Sequence, residues 1–366
     1  MAARRQAVAR ISRVLLTGAL LLAVAACSSA GATSAPASTS PAASGPAPVS
    51  ATAIPSCACS IAPSAAATSG AGSTAGGLPT IRPGQSGTVV AWGDNGAGQT
   101  AVPAGLTGVV AVAAGDDFGM ALKSDGTIVA WGGTSDAAET QVPSSATNVK
   151  AISAGSNFGI ALKSDGTVVG WGDNTYGEAS PPSGLNNVVE ISAAGSHAVA
   201  VISDGTVVAW GDDSNGATDV PAGLKSVAHV SAGYDFSVAL LGDGTVVAWG
   251  DKYPTDVPSG VTRVPAGLGG LSAISAGFAH NLALKSDGSV VGWGTNQDGE
   301  TTIPTGLQAV AIAAGGNFSL ALRPDGTVVA WGGNDSGQAI VPAGLSNVIS
   351  IDAGGSYALA VVASGP

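Results

Sequence analysis

Charge and aromatic residues are scarce in this chain. Of its 366 residues only 10% are charged and 4% aromatic. Long amphipathic helices need more Glu, Lys and Leu than this, so a helical architecture is excluded in favour of short strands and tight turns. Basic residues are the rarer sign, 13 against 24 acidic, for a net charge of −11. Four of the 13 (Arg4, Arg5, Arg10, Arg13) lie in the first 26 residues, which leaves about −15 beyond them. Such a surface repels phosphate backbones, and nucleic acid is not an expected partner. No Ser/His/Asp set, nucleophile elbow, phosphate loop or dinucleotide fingerprint is present. The expectation is therefore a protein without catalytic residues and without a cofactor. What is abundant is Gly (55), Pro (20), Ala and Val.

The N-terminus reads as an export leader over 1–26. A basic stretch to Arg13 is followed by an apolar run, Val14 to Ala23, too short for a comfortable membrane span. Then comes Val24-Ala25-Ala26-Cys27, which resembles the bacterial lipobox. That resemblance implies lipidation at Cys27 and a place at the outer face of the cell membrane, with plain secretion as the alternative. Residues 27–85 are rich in Ala, Ser, Thr, Pro and Gly, and cannot bury enough apolar surface to offset the entropy of ordering. They are expected to form a disordered tether. Within it Cys57 and Cys59 form Cys-Ala-Cys, either a disulfide pair or a soft-metal site; without a nearby His the metal reading is the weaker.

From residue 86 the chain repeats. All seven tryptophans are followed by Gly: Trp92, Trp131, Trp171, Trp210, Trp249, Trp293 and Trp331. Short Val/Ile-rich runs precede them, joined by Asp-Gly at 125, 165, 204, 243, 287 and 325. Asp-Gly between two apolar runs predicts a hairpin, in its tightest form a type I′ turn with positive φ at both central residues. The Val-Pro segments that follow suit an outer edge strand, where the missing N–H costs nothing. The first unit lacks its opening strands and the last, 348–363, stops where its hairpin turn would fall. The two ends together make one unit. A split unit predicts an all-β fold: a closed seven-bladed β-propeller over 86–366, with one blade completed by both termini.

The units resemble the regulator-of-chromosome-condensation repeat. Ala276-Gly277-Phe278-Ala279-His280-Asn281-Leu282-Ala283-Leu284 and Trp92-Gly93-Asp94-Asn95-Gly96-Ala97-Gly98-Gln99 carry its motif. Their shortness and Val-Pro-Ala endings are similar to a bacterial branch, the propeller-type β-lactamase inhibitory proteins. That resemblance implies a secreted monomeric ring gripping a partner through one rim of aromatic residues.

The positions after each repeat glycine should crown that rim. They are Asp116-Asp117, Ser156-Asn157, Gly195-Ser196, Tyr234-Asp235, Phe278-Ala279, Gly316-Asn317 and Gly355-Ser356. Only Tyr234 and Phe278 are aromatic, which counts against β-lactamase inhibition. The candidate partner-binding set is Tyr234, Asp235, Phe278, Asp116, Asp117, Asn157 and Asn317. The two rings either anchor a partner or cap their own blades. Tryptophans, one per unit, suit packing between blades. His197 and His280 stand where other units have Phe, which suits burial, and His229 is expected on the surface. Asp212 to Gly216 faintly resembles a calcium loop but lacks the distal bidentate acid. No metal is expected. The function expected is a non-catalytic, membrane-tethered binding or scaffold module for an extracellular protein or cell-wall component. The alternative is a glycan-binding, hydrolytic or lyase propeller working through its central channel.

Overall fold

The computed structural model describes residues 85–133, 137–251 and 260–365. The leader, Cys27, the tether, Cys57 and Cys59 lie outside the described residues. No helix among the described residues is long and apolar enough to cross a membrane.

One strand, β1 (Gly87–Gly93), precedes six complete triplets. These are β2 (Val109–Ala114), β3 (Phe118–Lys123), β4 (Ile128–Gly132); β5 (Val149–Ala154), β6 (Phe158–Lys163), β7 (Val168–Gly172); and β8 (Val188–Ala194), β9 (His197–Ile202), β10 (Val207–Gly211). They continue as β11 (Val227–Ala232), β12 (Phe236–Leu241), β13 (Val246–Gly250); β14 (Leu271–Ala276), β15 (His280–Lys285), β16 (Val290–Gly294); and β17 (Ala311–Ala314), β18 (Phe318–Leu322), β19 (Val328–Gly332). The chain closes with β20 (Val348–Ala353) and β21 (Tyr357–Ala363). Each triplet is antiparallel; five stand as separate three-stranded sheets, and β2–β4 is joined through the single pairing Gly87↔Val109 to β1, in one sheet of order β20-β21-β1-β2-β3-β4. β1 completes the last triplet: it pairs antiparallel with β21 along its whole length, from Gly87↔Ala363 to Gly93↔Tyr357. The ends of the repeat region thus share a sheet.

Two local expectations are corrected. The hairpin turns are not two-residue type I′ loops. In the first, Gly126 N–H donates to Lys123 O (2.9 Å) and Lys123 N–H to Thr127 O (2.9 Å), which makes a three-residue loop with only its glycine at positive φ, +79°. The aspartate caps it: Asp125 Oδ1 accepts from the Thr127 N–H (3.0 Å) and hydroxyl (2.6 Å). The same bonds hold the Asp carboxyls at these turns below their ordinary pKa. Nor, among the described residues, do the Val-Pro segments form a fourth strand. Pro103 has no N–H for a ladder, and its carbonyl accepts from Leu106 N–H (3.3 Å), so the chain turns away while Val102 and Leu106 pack on the core.

Seven apolar clusters make the core, each shared by two neighbouring sheets. The cluster of Val109, Val112, Trp131, Tyr357 and Leu359 joins the last sheet to the first. The tryptophans are structural, as their regular spacing predicts. Each is buried and donates from Nε1 to a carbonyl of the preceding unit: Trp131 to Gln99, Trp171 to Glu139, Trp210 to Glu178, Trp249 to Ala217, Trp293 to Val261 and Trp331 to Glu300. Trp92 has no earlier unit to reach. It donates to Gln338 O (2.9 Å), 246 residues on.

A second set of staples joins the first strands of successive sheets. Ser153, Ser192, Ser231 and Ser275 accept through Oγ from the N–H of Ala193, Ala232, Ala276 and Ala314. At the equivalent place in β20, Asp352 Oδ2 accepts from Ala114 N–H (2.8 Å). Enclosure by protein raises the Asp352 carboxyl to about 6, against the pull of its bonds to the Ala114 and Ala353 amides.

Candidate functional site

Each sheet turns between its first and second strands at the repeat glycine, and each turn has two uses. The residue two past the glycine fixes its own sheet: its carbonyl accepts an N–H from the segment after Trp-Gly. Examples are Asp94 N–H to Ser356 O (2.9 Å), Gly133 N–H to Asp117 O (2.8 Å), Asp173 N–H to Asn157 O (2.9 Å) and Asp251 N–H to Asp235 O (3.0 Å). The residue before it reaches the next sheet. Asp116 N–H donates to Ser156 O, Ser156 to Gly195 O, Tyr234 to Gly277 O, Phe278 to Gly315 O, Gly316 to Gly354 O, and Gly355 to Gly115 O. The glycines are required because a Cβ at Gly354 would stand 2.4 Å from Gly115 O and 2.4 Å from the Tyr357 ring.

Behind the turns lies one ring per sheet: Phe118, Phe158, His197, Phe236, His280, Phe318 and Tyr357, all at most 1% exposed. His197 Nε2 lies 2.9 Å from Ser237 Oγ, which donates its own proton to Ala217 O (2.9 Å). His280 Nε2 lies 3.0 Å from Ser319 Oγ, which donates to Glu300 O (2.8 Å). Each serine proton is thus committed, so each Nε2 is the donor. Burial pushes both histidines down to about 4, more strongly than the carboxylates of Asp212 and Asp213 near His197, or Glu300 near His280, pull them up. The Tyr357 hydroxyl donates to Phe118 O across the joint between last and first sheets.

The seven candidate binding residues all lie on this rim. Tyr234 and Phe278 stack, with centroids 4.1 Å apart and planes tilted by 33°. Phe278 is 50% exposed and Tyr234 half-buried. Asp116, Asn157 and Asn317 are exposed, Asp117 and Asp235 half-buried. Gln99 Nε2 donates to Asp117 at 3.4 Å. Asp116 touches solvent but has protein crowded round it, which raises its carboxyl, as does the Asp117 charge. Asp235 is raised by burial first and then by Asp212 and Asp251. Burial raises the Tyr234 hydroxyl, and the next contributions come from Asp116 and Asp235. The charge of Asp116 is therefore felt at Tyr234, although three units separate them in sequence.

Charge is sorted between the two ends of the sheets. Lys123, Lys163, Lys285 and Arg323 sit where second strands reach the hairpin turns, and Lys150 and Lys225 at or before the start of first strands. Lys123 and Lys163 are paired there with Asp125 (2.9 Å) and Asp165 (3.2 Å). The rim end carries Asp94, Asp116, Asp117, Asp173, Asp212, Asp213, Asp235 and Asp251. Among the described residues no lysine lies at that end, and Arg263 sits in an outer segment.

Sequence reasoning missed one pair and misplaced a residue. His229 is half-buried rather than on the open surface: its Nδ1 lies 3.2 Å from Glu190 Oε2, with side chains 39% and 9% exposed. The two hold equivalent positions on β8 and β11, 39 residues apart. The bond to Glu190 raises the histidine, against its burial. The signal was present, since the other five units carry Ala or Ser there. The calcium-like loop spends its oxygens locally: Asp212 Oδ1 accepts from Ser214 N–H and hydroxyl, and Asp213 from Thr218 N–H. Among the described residues no group of three or more His, Cys, Asp or Glu is placed to hold a metal.

Repeated three-stranded sheets, each stapled to the next by a tryptophan, define a repeat protein of the β-propeller class. The regulator of chromosome condensation (RCC1) repeat matches residues 109–136, 149–178, 227–252, 272–300 and 309–338, so the chain carries RCC1 repeats in five places. No curated protein sequence matches it. Solved structures of similar fold include Prp20p from Saccharomyces cerevisiae, 18% identical with a TM-score of 0.63 over 77% of this chain and 92% of that one. The ectodomain of the Physcomitrella patens receptor kinase CR4 is 23% identical, TM-score 0.55, over 67% and 68%. Human WBSCR16 is 15% identical, TM-score 0.58, over 77% and 100%.

Proposed function

We propose that the strands form a closed ring of seven blades and that this ring is a non-catalytic binding or scaffold module, gripping a protein or cell-wall partner through the rim. Closure is supported by three kinds of contact that run from the last unit to the first: the β1–β21 ladder, the Trp92 bond to Gln338 and the Asp352 bond to Ala114. The observation that carries the binding reading is the Tyr234–Phe278 stack, two large rings on a turn rim with one half in solvent. Apolar centres with polar edges are the anatomy of binding hot spots. Prp20p, of the same fold, binds Gsp1p and histones, so the architecture suits protein recognition. A photo-cross-linking residue at position 157 or 317 should capture one discrete partner from living cells, and the same probe at 125 or 165 on the opposite end should not. Equal labelling from both ends would remove the rim as the site. The rival reading, channel chemistry, would draw on the Glu190–His229 pair that joins β8 to β11; Glu190→Gln leaves partner capture intact under the rim reading.

The lipobox at Cys27 and the charge-poor tether support a lipoprotein held at the outer face of the cell membrane. Cys27→Ala should move the protein from the detergent phase to the aqueous phase or the medium. An unchanged partition would remove the anchor.

A further inference from the structure

We propose that the rim site recognises a cationic side chain, an arginine or lysine borne by the partner polypeptide, seated on the exposed ring of Phe278 and enclosed by Asp116 and Asp235. This rests on the rim-binding reading and adds its chemistry.

Three observations converge. The first is the stack itself. Tyr234 lies half-buried against Phe278, which fixes the Phe278 ring while leaving half its surface in solvent. An aromatic face held still and open attracts a cation through its quadrupole, most strongly where water is partly excluded. The second is the pair of acids. Asp235 follows Tyr234 on the same turn and Asp116 holds the equivalent turn of the first triplet, and the charges of both reach the hydroxyl of Tyr234, whose ring packs on Phe278. Both are crowded by protein. A desolvated carboxylate gains more from a bound cation than a fully hydrated one does. The third is what is missing nearby. The described lysines lie at the opposite end of the blades, where Lys123 and Lys163 already hold aspartates. Asp116 and Asp235 thus have no lysine among the described residues beside them. A guanidinium fits best, because its planar face stacks on a ring while its edge donates two parallel hydrogen bonds to a carboxylate.

The experiment titrates the full-length chain with acetyl-Gly-Arg-Gly-Arg-Gly-amide and with the same peptide carrying citrulline, followed by NMR. Citrulline keeps the shape and removes the charge. The arginine peptide should bind about tenfold or more tighter, and Phe278→Ser should erase that advantage. Asp116→Asn with Asp235→Asn should reduce it about tenfold, while Asp165→Asn at the far end leaves it unchanged. Melting curves of the variants confirm that they fold. Equal binding of the two peptides, or an advantage that survives loss of both rim carboxylates, overturns the proposal. The photo-cross-linking result separates the two readings: rim capture with no preference for arginine removes only the cation, and loss of rim capture removes the site.

Discussion

Deleting residues 348–363 should abolish cooperative folding rather than trim one blade. The segment is β20 and β21. Without it β1 loses the partner it pairs with along its full length, and Ala114 loses its Asp352 acceptor. Tyr357, Leu359 and Val361, each 0% exposed, leave the cluster that joins the last sheet to the first. At about 3 kcal/mol for each large core side chain removed, these three alone approach the whole stability of an ordinary domain. Two sheet edges also open, ready for pairing with other chains. The expected result is loss of the thermal transition, with aggregation, in a calorimetric scan. A truncated chain that melts like the parent would refute closure through the ends.

The second large effect is a dependence on pH set by two buried histidines. His197 and His280 titrate near 6.5 in the unfolded chain and near 4 in the folded one. Below 6.5 the unfolded state takes up protons that the folded state refuses. Their contribution is complete above pH 6.5 and falls away as the pH drops towards 4, by about 3 kcal/mol for each ring. His280 Nδ1 shows why the folded state refuses: it is buried without a hydrogen-bond partner, so a proton there would be an unsatisfied charge. Asp352 works in the opposite sense. Its folded value near 6 exceeds the unfolded 3.8, so it returns about 3 kcal/mol over the same fall in pH. His229, raised by Glu190, also favours the folded state as it protonates. The parent should lose on the order of 3 kcal/mol between pH 6.5 and 4, read from urea midpoints. Changing His197 and His280 to Phe, the residue of four other units, should reverse the slope, leaving Asp352 to make the protein firmer in acid. The serines keep their bonds to Ala217 and Glu300, so no polar group is orphaned. A double variant with the parent's slope would contradict the assignment.

Much of this architecture was legible because a repeat states the same fact several times. One tryptophan per unit, with spacings of 38 to 44 residues, signals a structural role between equivalent neighbours. The ring series was legible too, including the placement of His197 after a one-residue shift, since β8 runs one residue longer, to Ala194. The partners of those histidines were equally present, as Ser237 and Ser319 lie 40 and 39 residues on. They went unread because a contact between units is not adjacent in sequence. The same blindness hid Glu190 beside His229. The turn type failed for another reason: Asp-Gly is compatible with two hairpin geometries, and the Thr127 hydrogen bonds decide between them.

By itself the sequence determined the strands, their order, the buried ring of each unit and the candidate rim residues, because each follows from local pattern repeated at a fixed period. Only the tertiary structure decided which side chains meet. It brought Tyr234 onto Phe278, sent the charge of Asp116 to Tyr234, and gave Trp92 an acceptor 246 residues away. Those contacts depend on how far each sheet turns relative to the last. That arrangement is held by apolar clusters shared between neighbouring sheets, and no single unit contains it.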